Sequence, residues 1–364
     1  MSTTRLSLVN AAKGVGCLVI VIHHLAVYGP MSEVIGAQYP KLIETLIVYG
    51  KLAVQMFFVF GGYFVAAQMA PRAAPIALEV PALVWKRYKR LITPFLFAVT
   101  LAALITALVR PWFTHDSLSA APTFGQLLAH VFLLYDLIGL EALSAGIWYV
   151  AIDFQLFALT AIFTALSWRM PASLQRVYPL IIIALTAFSL WVLNGNDALE
   201  AYAPFFFGYY GLGVLAYWTA HTRLGRFGLV LIALLGVVAL SLEFRKAVAT
   251  ATITALLLAL TDLRGRLEHW GDHPALNWLG ERSYSIFLIH YGICIGINAL
   301  WSLWFPTGLW INAVGIVVAV GLSLAAGALL YRLVEIRNNA LGLNARTGFL
   351  VAAVALTLVL ERSI

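Results

Sequence analysis

Lys13, His23, His24, Asp153 and His290 can carry or move a proton, and each lies in an otherwise apolar stretch of this chain. Such groups are costly among apolar residues, so they normally face a protein interior and meet a partner there. Lys13 and His24 are eleven residues apart. On a helix that is three turns plus about 20°, so both lie on one face, about 16 Å apart along the axis. Lys13 and His23 are ten apart and about 80° out of line, which makes His23 the packing residue and His24 the candidate to line an interior path. Asp153 falls roughly 10 Å into its own apolar stretch, close to the depth expected of His24. A carboxylate beside an imidazole fixes its tautomer and raises its basicity, which is what a general base requires. The same pair would equally serve as a structural hydrogen bond closing a polar hole.

The densest basic cluster is the run WKRYKRLITP at 85–94. One reading is an ordinary membrane anchor at a helix start. The other is a site for a phosphorylated ligand: Arg87 and Arg90 are three apart, share a helical face and could grip phosphates, flanked by Lys86 and Lys89.

These groups need long apolar helices to hold them. Of the 364 residues, 62% are hydrophobic and only 11% charged, against roughly 25% charged in soluble domains. The apolar blocks do not alternate as barrel strands would, and they run long enough to cross about 30 Å of hydrocarbon as helices. The fold class expected is all-α, a polytopic transmembrane bundle. Spans are expected near 7–28, 46–69, 91–110, 146–167, 178–193, 204–220, 227–243, 247–262, 283–304 and 309–334, with a possible eleventh at 348–360. The run 124–140 is apolar but carries Gln126, His130 and Asp136, and is expected to lie at the interface. With the N-terminus in the cytoplasm, sixteen Lys and Arg fall on the inner side and six on the outer, the bias that sets orientation. The net charge of +7 thus reflects membrane orientation, and no nucleic-acid partner is expected. Cys17 and Cys294 read as small apolar residues. The first apolar block is too long for a cleavable signal. No metal site is expected.

Six segments, in order, resemble acyltransferase family 3, the membrane O-acyltransferases that modify surface glycans and related acceptors. AAKGVGCLVIVIHH resembles the family's Arg-x10-His element, with Lys13 in the Arg place and His24 in the His place. FFVFGGYF at 57–64 is similar to its FFxxSG segment, with Gly61 for Ser. RYKR at 87–90 resembles Arg-x-x-Arg, and IWYVAIDFQLF resembles Trp-x4-Glu, with Trp148 kept and Asp153 for Glu. LGERSYSIFLIH at 279–290 is similar to the late Gly-x-x-Ser-Tyr segment that ends on His, and YRLVEIRNN to the closing Tyr-x-x-x-Glu. The resemblance implies one membrane domain over 1–346, with 347–364 as a possible extra helix, in a bacterial inner membrane. It implies an acyl group, most simply acetyl, drawn from cytoplasmic acyl-CoA and moved to a hydroxyl of a glycan or lipid-linked sugar outside. Arg87, Arg90, Lys86 and Lys89 would bind the CoA, and His24 would be the base, with Asp153 and Lys13 beside it. Tyr284, His290 and Trp148 would line the pocket. A proton-coupled transporter or glycan exporter is the alternative that the buried His, Asp and Lys also suit.

Overall fold

The computed structural model describes residues 6–336, and every regular element among them is helical. In chain order these are α1 (Ser7–Val27), α2 (Pro30–Gln38), α3 (Pro40–Gly50), α4 (Ala53–Met69), α5 (Val80–Val109), α6 (Phe124–Val131) and α7 (Trp148–Trp168). There follow α8 (Ala172–Gln175), α9 (Tyr178–Trp191), α10 (Ala203–His221), α11 (Gly225–Leu242), α12 (Lys246–Leu263), α13 (Pro274–Trp304) and α14 (Leu309–Leu330), which ends in a π turn over Tyr331–Glu335. Nine stretches among the described residues are long and apolar enough to cross a membrane. The protein is a multi-pass membrane protein. The run 348–360, expected as a possible further span, lies outside the described residues.

The sixth expected span, 204–220, exists as α10 but is not one of those nine. Tyr209, Tyr210, Tyr217, Trp218 and His221 lower its hydropathy. It is buried almost all round, packed on α4, α9, α11 and α12, so its residues meet protein where a peripheral helix would meet lipid. The expected second span starts earlier and is broken: Pro40 opens α3, and Lys51–Leu52 separates it from α4. The expected third span starts eleven residues sooner, at Val80. Its early residues are good helix formers with Pro81 tolerated in the first turn, so the basic run forms helix and not loop. In the same way α13 starts at Pro274, well before residue 283. The apolar run from 124 forms only the eight residues of α6, opened by a Thr123–Gln126 capping box. At about 12 Å it is too short to cross a bilayer.

The chain folds as two compact units. The first comprises the described part of Met1–Lys13 with Leu52–Tyr88 and Tyr149–Asn277; the second comprises Gly14–Lys51, Lys89–Trp148 and the described part of Trp278–Ile364. Within the second unit α1 and α13 run parallel in constant register. Cys17 Sγ donates to the Ser283 carbonyl, His24 meets His290, and Cys294 Sγ donates to the Tyr28 carbonyl, each pair 266 residues apart. Small residues bring the start of this seam together: a Cβ on Gly14 would lie 2.8 Å from the Gly280 nitrogen. Beyond His24 the helix breaks at Gly29, whose φ is +116°. Asn298 spans the break, with Nδ2 donating to the Tyr28 carbonyl at 3.2 Å and Oδ1 accepting from the Met31 N–H at 3.2 Å.

Candidate active site

The seam sets two buried imidazoles edge to edge. His24 Nδ1 lies 2.7 Å from His290 Nε2, with 4.8 Å between ring centroids and 16° between ring planes. His290 Nδ1 lies 2.5 Å from the Phe287 carbonyl. A carbonyl can only accept, so His290 carries its proton on Nδ1 and offers a lone pair at Nε2. His24 must then donate from Nδ1. That leaves the lone pair of neutral His24 on Nε2, for which no hydrogen bond is seen among the described residues. This tautomer is the one a proton acceptor needs. His23 points elsewhere, with Nδ1 on the Leu46 carbonyl at 3.2 Å.

Sequence reasoning gave His24 a carboxylate partner, and the structure gives it an imidazole. Asp153, buried in the first unit, is hydrogen-bonded and ion-paired to Arg87, whose guanidinium also lies over the Phe157 ring at 5.1 Å. Arg87 is the cation that neutralises the buried carboxylate, and Asp153 the anion that lets an arginine sit inside the bundle. Gly61 leaves the room for this: a Cβ there would stand 3.2 Å from Asp153 Oδ1 and 3.0 Å from the Tyr210 ring. Lys86, Lys89 and Arg90 are exposed on the first turns of α5. Lys13 is half-buried on α1, which runs unbroken to His24 and beyond. Tyr284 donates to the Leu91 carbonyl at 2.9 Å, and Trp148 opens α7, half-buried. Glu335, in the π turn, accepts from Ser285 at 2.6 Å.

Three features escaped the sequence. Gly146, at φ +77°, backs onto the His24 ring: a Cβ there would be 2.9 Å from His24 Cε1. In the first unit Tyr63 donates to Asp262 at 2.6 Å, and Asp262 also faces His221 at 3.4 Å. Also in the first unit, a cavity of about 320 Å³ lies among Leu156, Phe163, Ile182, Leu185 and Phe207, without an ionisable group in its lining. Among the described residues no three His, Cys, Asp or Glu come together as a metal site.

Residues 7–332 match the model of a family described as an acyltransferase domain, acyltransferase family 3. The chain belongs to acyltransferase family 3. No curated protein and no solved structure matches it. Membership over nearly the whole described chain makes it a membrane acyltransferase, which implies an acyl donor and an acceptor. In this acyltransferase His24 and His290 form a buried, hydrogen-bonded pair of titratable groups.

Proposed function

We propose that the protein is an O-acyltransferase of the bacterial inner membrane, carrying an acyl group, most simply acetyl, from cytoplasmic acyl-CoA to a hydroxyl of a glycan or lipid-linked sugar. The observation that carries this reading is the hydrogen-bond chain from His24 through His290 to the Phe287 carbonyl. His24 Nε2 takes the proton of the acceptor hydroxyl as that oxygen attacks the thioester carbonyl. The C–S bond breaks, the new ester C–O bond is complete, and the CoA sulfur takes the proton from the imidazolium. While His24 is protonated, its Nδ1–H stays bonded to His290, which holds the ring still and spreads the charge.

The CoA phosphates are assigned to the basic start of α5. Arg87 is committed to Asp153, so Lys86, Lys89 and Arg90 make the direct phosphate contacts and Arg87 positions the turn that carries them. Lys13, toward the inner end of α1, favours the negative charge of the donor as it approaches. The sixteen-to-six distribution of Lys and Arg supports the orientation, with donor inside and acceptor outside.

The test is CoA release by purified protein given acetyl-CoA and a panel of glycan acceptors. Turnover is expected with at least one acceptor, lost in His24→Ala while membrane insertion is kept. Full turnover in His24→Ala would sink the assignment of the base. Joint charge reversal at Lys86, Lys89 and Arg90 should raise the KM for acetyl-CoA, and an unchanged KM would remove the donor site from α5.

A further inference from the structure

The segment from Phe132 to Ile147 in the second unit turns some side chains outward, Phe132, Leu134 and Ile138 among them, and buries others in a strained and partly unpaired setting. It begins beside Leu133, a buried non-glycine residue at φ +56°, a conformation that costs about 1 kcal/mol or more and that clusters at functional sites. It ends on Gly146, against the His24 ring. Between them three oxygens are covered by protein and have no hydrogen-bond partner among the described residues: Tyr135 Oη, Asp136 Oδ2 and Ser144 Oγ. Tyr135 is wholly buried and Ser144 nearly so.

The two polar side chains that frame this region, Gln126 and His130, are paired. Gln126 Nε2 donates to the Glu141 carbonyl at 2.7 Å. His130 hydrogen-bonds the Gln126 carbonyl through Nδ1 and accepts the Leu143 N–H at Nε2. The Tyr135 ring lies flat on His130, 4.1 Å between centroids and 7° apart. His130 thus ties Tyr135 on one side to the backbone next to Ser144 on the other. A frame this well satisfied does not leave three buried oxygens idle by poor packing. Buried polar groups are nearly always paired, and each exception asks for an explanation.

We infer that the 132–147 loop is the acceptor subsite, and that Tyr135, Asp136 and Ser144 hydrogen-bond the hydroxyls of a sugar whose reacting hydroxyl is delivered to His24. The inference rests on His24 being the base of acyl transfer. Two hydroxyls and a carboxylate, each able to accept an O–H, suit a polyhydroxylic ligand. They do not suit a hydrocarbon chain, which has no hydrogen to donate, nor a phosphate, which a carboxylate repels. In the conformation seen these oxygens are covered, so the loop shifts as the sugar enters and closes on it afterwards. Strain at Leu133 and unpaired oxygens raise the energy of the closed, empty loop, and the sugar relieves it.

The test uses the full chain in lipid nanodiscs, with methyl glycosides of glucose, galactose and N-acetylglucosamine as probes and acetyl-CoA as control. Hydrogen exchange over 132–147 is expected to slow with at least one glycoside and not with acetyl-CoA. Tyr135→Phe and Ser144→Ala should abolish that protection. They should raise the acceptor KM about tenfold each, the worth of one hydrogen bond, and leave the KM for acetyl-CoA unmoved. Both variants should also raise the Tm of the free protein, since each removes an unpaired buried hydroxyl. Absence of protection by every glycoside overturns the inference, as does protection by acetyl-CoA alone or a fall in Tm in both variants. The exchange measurement needs no turnover. Glycoside protection without acyl transfer would therefore count against the proposed reaction and not against the sugar site.

Discussion

His24 and His290 share a hydrogen bond of 2.7 Å with their rings within 16° of parallel, although 266 residues separate them. The contact fixes more than position. Because His290 spends its own N–H on the Phe287 carbonyl, it can only accept from His24, and neutral His24 is held in one tautomer. His290→Ala should therefore lower kcat roughly a hundredfold, toward the loss expected for removing general-base catalysis, with little change in the KM for acetyl-CoA. The double variant with His24→Ala should be no slower than His24→Ala alone, because the two act as one unit. Losses that multiply in the double variant would show that His290 acts independently.

The Arg87–Asp153 pair makes a different prediction, about stability. Removing one partner of a buried ion pair leaves an uncompensated charge and costs about 3–5 kcal/mol, whereas removing both costs much less. Arg87→Met and Asp153→Leu should each lower the Tm in detergent sharply, and the double variant should recover most of the loss. Additive losses would mean that the two side chains stabilise the fold through separate contacts.

Most spans were legible because crossing a bilayer demands about twenty apolar residues, and this demand is written locally. α10 was legible by length, though its buried aromatic and polar character hid it from a hydropathy threshold. α5 begins eleven residues before the expected span at 91 because Lys and Arg, too polar to count toward a span, are good helix formers. His24 was legible from its spacing to Lys13. Its partner was not: pairing α1 with α13 depends on a register that no local pattern states. One clue was present. Cys17, His24 and Tyr28 repeat at seven and four, as do Ser283, His290 and Cys294, the spacing of a helix-pair seam. Asp153 was drawn to His24 by depth alone, and depth does not say which neighbour a side chain faces.

Asn298 should prove structural and indispensable to the break after α1. Its amide accepts from Met31 N–H and donates to the Tyr28 carbonyl, groups that a helix interruption leaves unpaired where no water can reach them. Asn298→Leu removes both bonds at similar volume and should cost about 2–4 kcal/mol, read as a fall in Tm. Activity at low temperature should fall with it, since the break sits one turn beyond His24. A variant with wild-type Tm would show that the break is satisfied by other groups.

Gly146 is predicted to tolerate nothing larger. Alanine there would keep a left-handed φ at a cost of about 1–2 kcal/mol and would put a methyl 2.9 Å from His24 Cε1. The ring would have to turn, breaking its line to His290. Gly146→Ala should thus lose more in kcat than in Tm, whereas Gly265→Ala, at a positive φ but in open space, should lose stability only.

The loop that carries Asp136 should give the protein a measurable pH signature. Burial pushes the Asp136 carboxyl up to about 6, so the folded state holds its proton more tightly than the unfolded chain does. The stabilisation this represents is complete below the unfolded value near 4 and disappears as pH rises through 6, above which the fold carries a partly buried carboxylate. Neighbouring His130 works in the opposite sense. Burial pulls its imidazole down to about 4, so its contribution is complete above about 6.5 and is lost as pH falls through 4. Over the window between 4 and 6.5 the two trends oppose each other and flatten the wild-type curve. Asp136→Asn removes one of them. The variant should match wild type at pH 4 and exceed it at pH 7.5, by about 1 kcal/mol once solvent screening of this partly exposed group is discounted. Its Tm should climb steadily with pH where the wild type's stays level. A Tm difference that is independent of pH would mean that Asp136 titrates as an ordinary surface carboxylate.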